Sequence, residues 1–164
     1  MRMTARAAFG AIVLVSFGAV AAALVTQHVF EMQPCPWCVL QRLIFVLIGL
    51  VALVALTWPG IGVRRASAFG LFLLGGAGVA AALWQHFVAA ASTSCNLTLA
   101  DRIMNGSGLP ALLPDVFEAR ATCADAAVRL LGLPYEFWAL GLFVVIAIAA
   151  LWPLTVTAPS ANRR

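Results

Sequence analysis

Four cysteines carry the chemistry open to this chain. Cys35 and Cys38 bracket Pro36 and Trp37 in "PCPWC", and Cys95 and Cys123 stand 28 residues apart further on. A Cys-x-x-Cys pair can bind metal, close a structural bridge, or cycle between dithiol and disulfide. Zinc wants two ligand pairs of closely matched spacing, and Cys95 with Cys123 is not such a half-site. A bridge closing so small a ring as Cys35–Cys38 gains little chain-entropy stabilisation. The neighbours favour cycling. Pro36 suits the first position of a helix, where no N–H is needed. With Cys35 as the cap, Cys38 falls in the first turn, facing orphan N–H groups and the positive dipole end, which stabilise a thiolate. Taken alone, Cys95 and Cys123 read as an ordinary structural bridge, worth about 3–4 kcal/mol in the chain-entropy model. If both pairs face one compartment, exchange between them is limited only by loop reach.

Two further residues bear on that chemistry. Arg42 follows Cys38 by four residues, which places both on one helix face, roughly 6 Å apart. An arginine inside an apolar run costs up to ~3 kcal/mol at mid-membrane and less near the ends. Its position alone suits a snorkelling interfacial arginine as well as a fixed cation beside a thiolate and an electron acceptor. His86, taken alone, reads as a core histidine with its ring satisfied.

The elements that must position these residues are membrane spans. Of 164 residues, 63% are hydrophobic and only 10% charged, where a soluble domain is nearer half apolar and a quarter charged. The net charge of +4 comes from ten arginines and no lysine. They are scattered, so nucleic-acid binding is not expected. Four runs are long enough to cross a hydrocarbon core of roughly 30 Å: Ala7–Val25, Val39–Trp58, Ala66–Val88 and a slightly short Glu136–Trp152. Trp58, Trp84, Trp138 and Trp152 fall near span ends, where indole rings favour the interface. The first run also has features of a signal peptide, but its apolar stretch is too long for one and it is read as a retained helix.

Orientation follows from charge. Arg2 and Arg6, Arg64 and Arg65, and Arg163 and Arg164 flank the spans at the two termini and the middle connection, whereas Thr26–Trp37 carries no basic arginine or lysine. The positive-inside rule then makes both termini cytoplasmic and puts all four cysteines outside the cytoplasm, where disulfides persist. The expected architecture is an all-α integral membrane protein: one domain over residues 1–164, four transmembrane helices in a bundle, and two loops outside the cytoplasm at about 26–37 and 89–135, which the resemblance given below makes periplasmic. In the second loop, Leu109, Leu112, Leu113, Val116 and Phe117 recur at roughly helical spacing, broken by Pro114. They suit either a short membrane-surface helix or a hydrophobic loop packed on the bundle. Residues 75–78, "GGAG", read as close helix packing.

In order along the chain, "QHVF", "PCPWCVLQR", "WQH", "SCN" and "ATCAD…LLGLPYEFWALGLF" resemble the bacterial disulfide bond formation protein B (DsbB) family from about Gln27 to Ile146. The resemblance implies a four-helix bundle of the bacterial inner membrane that re-oxidises a periplasmic DsbA-like thiol oxidase and passes the electrons to ubiquinone or menaquinone. It implies that Cys95 is attacked by the reduced partner, that Cys123 leaves and exchanges with Cys35, and that Cys38 contacts the quinone. Arg42 matches the family's quinone-site arginine, and His86 a histidine near the quinone. His28 also aligns, although a loop-facing interfacial histidine explains it as well. Two positions depart. Gln41 stands where an acid often accompanies the arginine, and Val128 where a tryptophan is common, which implies weaker aromatic shielding of the loop. Glu136 reads as a favourable charge at a helix start. The competing readings are a homologue serving a dedicated thiol partner, a membrane scaffold or transporter with two structural disulfides, and a metal-delivery protein.

Overall fold

A computed structural model describes residues 5–58, 60–91 and 98–155. Among the described residues, four helices are long and apolar enough to cross a membrane. These are α1 (Ala5–Val29), α2 (Pro36–Thr57), α3 (Ile61–Trp84) and α7 (Tyr135–Thr155), with α3 extended by a π-helical turn over Gln85–Ala89. The expected short last span gains its missing length from Tyr135 and a final turn. Its 21 residues reach about 31 Å at ~1.5 Å per residue. Helices α1 and α2, α2 and α3, and α3 and α7 pack as neighbours, and α7 closes the ring against α1.

Small residues allow that closure. A Cβ added at Gly75 would lie 3.0 Å from the Ala147 Cβ, and one at Gly78 would overlap the Phe143 ring. The "GGAG" segment is therefore the surface on which α3 and α7 meet. Phe143 in turn stacks on Phe45 of α2, with ring centroids 4.0 Å apart, so the centre of the bundle is aromatic. Trp58, Trp84, Trp138 and Trp152 are all exposed, as rings at a membrane boundary should be.

The segment between the third and fourth spans covers the cysteine-bearing end of the bundle. It contains three short helices, α4 (Leu99–Ser107), α5 (Leu109–Leu112) and α6 (Pro114–Phe117), followed by strands β1 (Arg129–Leu130) and β2 (Leu133–Pro134). The apolar spacing over 109–117 yields only two single turns, because Leu113 before Pro114 adopts φ −135°, ψ 68° and a residue preceding proline is driven out of the helical region. The longer helix lies earlier. Thr98 and Asp101 form a reciprocal capping box that starts α4, and Gly108 at φ 70° ends it, as such boxes and left-handed glycines do. Strands β1 and β2 form a hairpin whose turn residues, Leu131 and Gly132, both have positive φ, the signature of the turn that matches strand twist.

Candidate functional site

The first cysteine pair sits where α2 begins. Cys35 is the N-cap, with extended backbone, Pro36 occupies the first turn, and the Cys35 sulfur accepts the Cys38 backbone N–H at 3.3 Å. The two sulfurs lie 2.8 Å apart. The cap geometry expected from "CPWC" is therefore present, and it leaves Cys38 half-buried in the first turn while Cys35 is fully buried.

The third sulfur arrives from the covering segment. Backbone N–H groups of Arg120 and Ala121 both donate to the Pro34 carbonyl, at 2.9 and 3.2 Å, pinning the second loop to the first. Directly after this latch, Thr122 and Asp125 bond each other at 2.6 Å, and the Thr122 hydroxyl accepts the Asp125 N–H. Cys123 sits inside that tight turn and is buried. Its sulfur is within hydrogen-bonding reach of Cys35 and accepts the Trp37 backbone N–H. Cys35 is thus flanked by two sulfurs. Donation to Cys123 first, then to Cys38, together with burial, pushes the Cys35 thiol far above the ordinary range. The hydrogen bond from Cys35 outweighs burial at Cys123 and holds that thiol below it. Cys95, the fourth expected sulfur, lies outside the described residues. With valine at 128, Cys123 is none the less buried.

Arg42 is not a snorkelling residue. Only 6% exposed, its guanidinium donates to Gln27 Oε1 at 2.6 Å, to the Val116 carbonyl at 3.0 Å and to the Ala23 carbonyl at 3.3 Å. Gln27 in turn donates to the Asp115 carbonyl at 3.2 Å. One buried cation therefore ties α1 and α6 to α2, and hydrogen bonds to a charged group are worth about 1.5–3 kcal/mol each.

Two neutral amides complete the surroundings of Cys38: Gln41, singled out in the sequence as a departure, and Gln85, which sequence reading passed over. Gln41 donates to Gln85 Oε1 at 2.7 Å, and Gln85 donates to the Cys38 sulfur at 3.3 Å. Both amides are buried. The π-helical turn begins at Gln85, and such bulges recur at functional sites because they re-aim side chains. The signal available in the sequence was two glutamines inside apolar runs, one beside Arg42 and one beside His86. Gln41 is the residue standing where an acid was anticipated, so a dipole chain ending on sulfur replaces a charge.

Two cavities meet at Cys38. One, of about 290 Å³, lies between α1, α2 and α7; alanines of α1, Phe45 and Leu142 form its walls, and Cys38, Gln41, Arg42, Gln85, Tyr135 and Glu136 its polar end. The other, of about 560 Å³, lies under the loops and is lined by Glu31, Arg120 and Asp125 among others. Thr26, Cys38, Arg42 and Tyr135 line both, and the Thr26 and Tyr135 hydroxyls share a 2.9 Å hydrogen bond. His86 lines neither cavity. Its Nδ1 lies 2.6 Å from Glu136 Oε1, so it meets the apolar cavity only through that carboxyl. Glu136 is in the first turn of α7, as a helix-start charge should be, but it is buried, and its Oε2 has no partner among the described residues. His28 is exposed and takes no part.

A dithiol at a helix start, a third thiol carried to it by a latched loop, and an apolar cavity opening on the inner sulfur define a membrane thiol–disulfide oxidoreductase. Known proteins agree. A family model described as Disulfide bond formation protein DsbB matches residues 5–153. Proteins named Disulfide bond formation protein B are similar over nearly the whole chain. That of Herminiimonas arsenicoxydans is 36% identical over 84% of this chain and 87% of its own length. Those of Ralstonia nicotianae and Acinetobacter baumannii are 34% and 30% identical over 90% and 94% of this chain, and 92% and 93% of their own. The chain belongs to the DsbB family.

Proposed function

We propose that this multi-pass membrane oxidoreductase re-oxidises a soluble DsbA-like thiol oxidase outside the cytoplasm and delivers the electrons to a membrane quinone. Both termini face the cytoplasm in this reading, and the membrane is the bacterial inner membrane. The observation that carries it is the position of Cys35, in hydrogen-bonding reach of Cys123 on one side and Cys38 on the other, with Cys38 at the polar end of an apolar cavity.

The cavity suits a quinone head. Its walls are apolar, as a ring and isoprenoid tail require, and its few polar groups gather at one end, as small-molecule sites usually arrange them. Arg42, Gln41, Gln85 and Tyr135 could hold such a group there. When bound, the quinone supplies a two-electron, two-proton acceptor.

The protein's own residues do the rest. The partner's thiolate attacks Cys95 of the Cys95–Cys123 disulfide, releasing Cys123 as a thiolate. Cys123, within reach of Cys35 and facing the Trp37 backbone N–H, attacks the sulfur of Cys35 in the Cys35–Cys38 disulfide. Cys38 leaves as a thiolate, held by the helix start, the Gln85 N–H and the nearby Arg42 charge. Cys35, high and buried, is the sulfur that exchanges partners rather than the one that leaves.

The competing scaffold reading gives no reason for a buried Arg42 at the same cavity as Cys38. It also requires Cys35 and Cys38 to stay oxidised when a reduced thiol partner is added. The trapping experiment separates the two. A reduced DsbA-like protein whose second active-site cysteine is replaced by serine should accumulate as a mixed disulfide on Cys95 of the intact chain, with Cys123 released; absence of that complex, with the first pair still oxidised, would support the scaffold.

A further inference from the structure

We propose that Glu136 gives a proton to the quinone in the apolar cavity and that His86 reloads it from the surface; this rests on the quinone reading above. Glu136 is 4% exposed and lines the cavity. Its Oε1 meets His86 Nδ1 at 2.6 Å, and its Oε2 is buried with no partner among the described residues. The His86 side chain is 31% exposed, its ring set between Phe87 and Phe137. A path therefore runs from cavity to carboxyl to imidazole to surface.

A helix-start charge explains the position of Glu136 but not its burial. Carboxylates that merely complement a helix dipole are served as well at the solvated rim. A carboxylic acid with its proton on Oε2 carries an O–H that lacks an acceptor in the protein, and a carbonyl oxygen in the cavity is an acceptor of the right kind.

The other polar groups at the cavity cannot do this. From α2, Arg42 does not release its proton, and Cys38 gives electrons. Gln41 and Gln85 are amides. From α7, Tyr135 is engaged with Thr26; the π-helical turn brings His86, and α1 lines the cavity with alanines and Thr26 only. Among the described residues of this cavity Glu136 is the only carboxyl.

The balance is simple. Over one turnover the partner's two thiols lose two electrons and two protons as their S–S bond forms, and the quinone gains two of each to become a quinol. One of those protons comes from Glu136, which is left as a carboxylate, accepts the proton of His86, and so draws one in from the surface. The other comes from water, and the thiol protons return to water. Glu136 is the proton donor, and His86 positions and recharges it.

The test uses the full chain in lipid nanodiscs with a short-chain ubiquinone. Binding is read from quenching of Trp138, which lines the cavity. The carboxyl is read from infrared difference spectra, and quinol formation from single-turnover kinetics over a range of pH. Wild-type protein should show a protonated-carboxyl band that shifts when quinone binds. Glu136→Gln should lack that band, still quench, and form quinol ~10²-fold more slowly, the lower end of what a general acid contributes. Glu136→Asp should restore part of the rate, and His86→Gln should keep the band but lose the wild-type pH profile. A band that persists in Glu136→Gln, or an unchanged rate, overturns the proposal. Should Glu136→Gln fail to fold, a carboxyl band indifferent to quinone in both wild type and His86→Gln overturns it equally. Absence of Trp138 quenching in wild type removes the quinone reading itself, and the proposal with it.

Discussion

Between α1, α2 and α7 the cavity is walled by alanines and aromatic rings, whereas beneath the loops the larger one adds the charges of Glu31, Arg120 and Asp125 to apolar side chains such as Met32 and Val128. Among the described residues only Thr26, Cys38, Arg42 and Tyr135 belong to both. An apolar carrier is retained by the first and disfavoured in the second, and a hydrated peptide has the opposite preference. The difference teaches that the inner sulfur stands on a boundary between two solvents. In the proposed function, sulfur-to-sulfur exchange carries electrons to that boundary, and neither partner needs to cross it.

The largest effect should come from cutting the shared sulfur. Cys38→Ser should bring quinone reduction to background while leaving Cys95 and Cys123 able to form a mixed disulfide with a reduced thiol partner, seen on non-reducing gels. Loss of both activities would mean the two sides are not separable. Next, Arg42→Gln removes charged hydrogen bonds to α1 and α6 at the same boundary. With a charged hydrogen bond to the quinone worth about 1.5–3 kcal/mol, the quinone concentration needed for half-maximal rate should rise roughly 10- to 100-fold. An unchanged quinone dependence would contradict the role given to Arg42.

A third change addresses the apolar side alone. A methyl at Gly78 meets the Phe143 ring, which stacks on Phe45 at the cavity wall. Gly78→Ala should cost about 1–3 kcal/mol in thermal unfolding, as overpacking does, and weaken quinone binding with partner exchange intact. Equal losses on both sides would show that the cavities are mechanically one.

The reduced protein offers a gentler contrast between sulfurs. Cys123, held low by the hydrogen bond from Cys35, carries more thiolate at neutral pH than an ordinary cysteine, and Cys35, pushed up, carries less. Alkylation followed by mass spectrometry should therefore label Cys123 at lower pH than Cys35; the reverse order would contradict the hydrogen-bond direction. The smallest effect belongs to Tyr135→Phe, which removes the hydroxyl bond to Thr26 across the boundary. It should cost about 0.5–1.5 kcal/mol of stability, measured by thermal unfolding in detergent.

What could be read in advance follows the range of the forces involved. Span number, the cap at Cys35 and the place of Pro36 depend on neighbours in sequence, and the apolar runs and the "PCPWC" segment display them directly. The glycine surface of α3 was also visible, because small residues at close spacing have few other uses in a bundle. Helix α4 had a readable start in Thr98 and Asp101, yet the leucines of 109–117 drew attention away from it, and proline limits those to single turns. Long-range polar pairs were not visible. Gln85 reaches Cys38 across 47 positions and His86 reaches Glu136 across 50, and nothing near any of these residues announces its partner. The burial of Arg42 rests likewise on acceptors from two other helices, so its sequence position left both readings open.

The central claim is that Cys35 is the exchange point between loop and membrane cysteines. Its most direct test is disulfide mapping by mass spectrometry in a Cys38→Ala/Cys95→Ala protein isolated under oxidising conditions. The account predicts a Cys35–Cys123 bond linking the two loops; Cys35 and Cys123 both left as free thiols would contradict it.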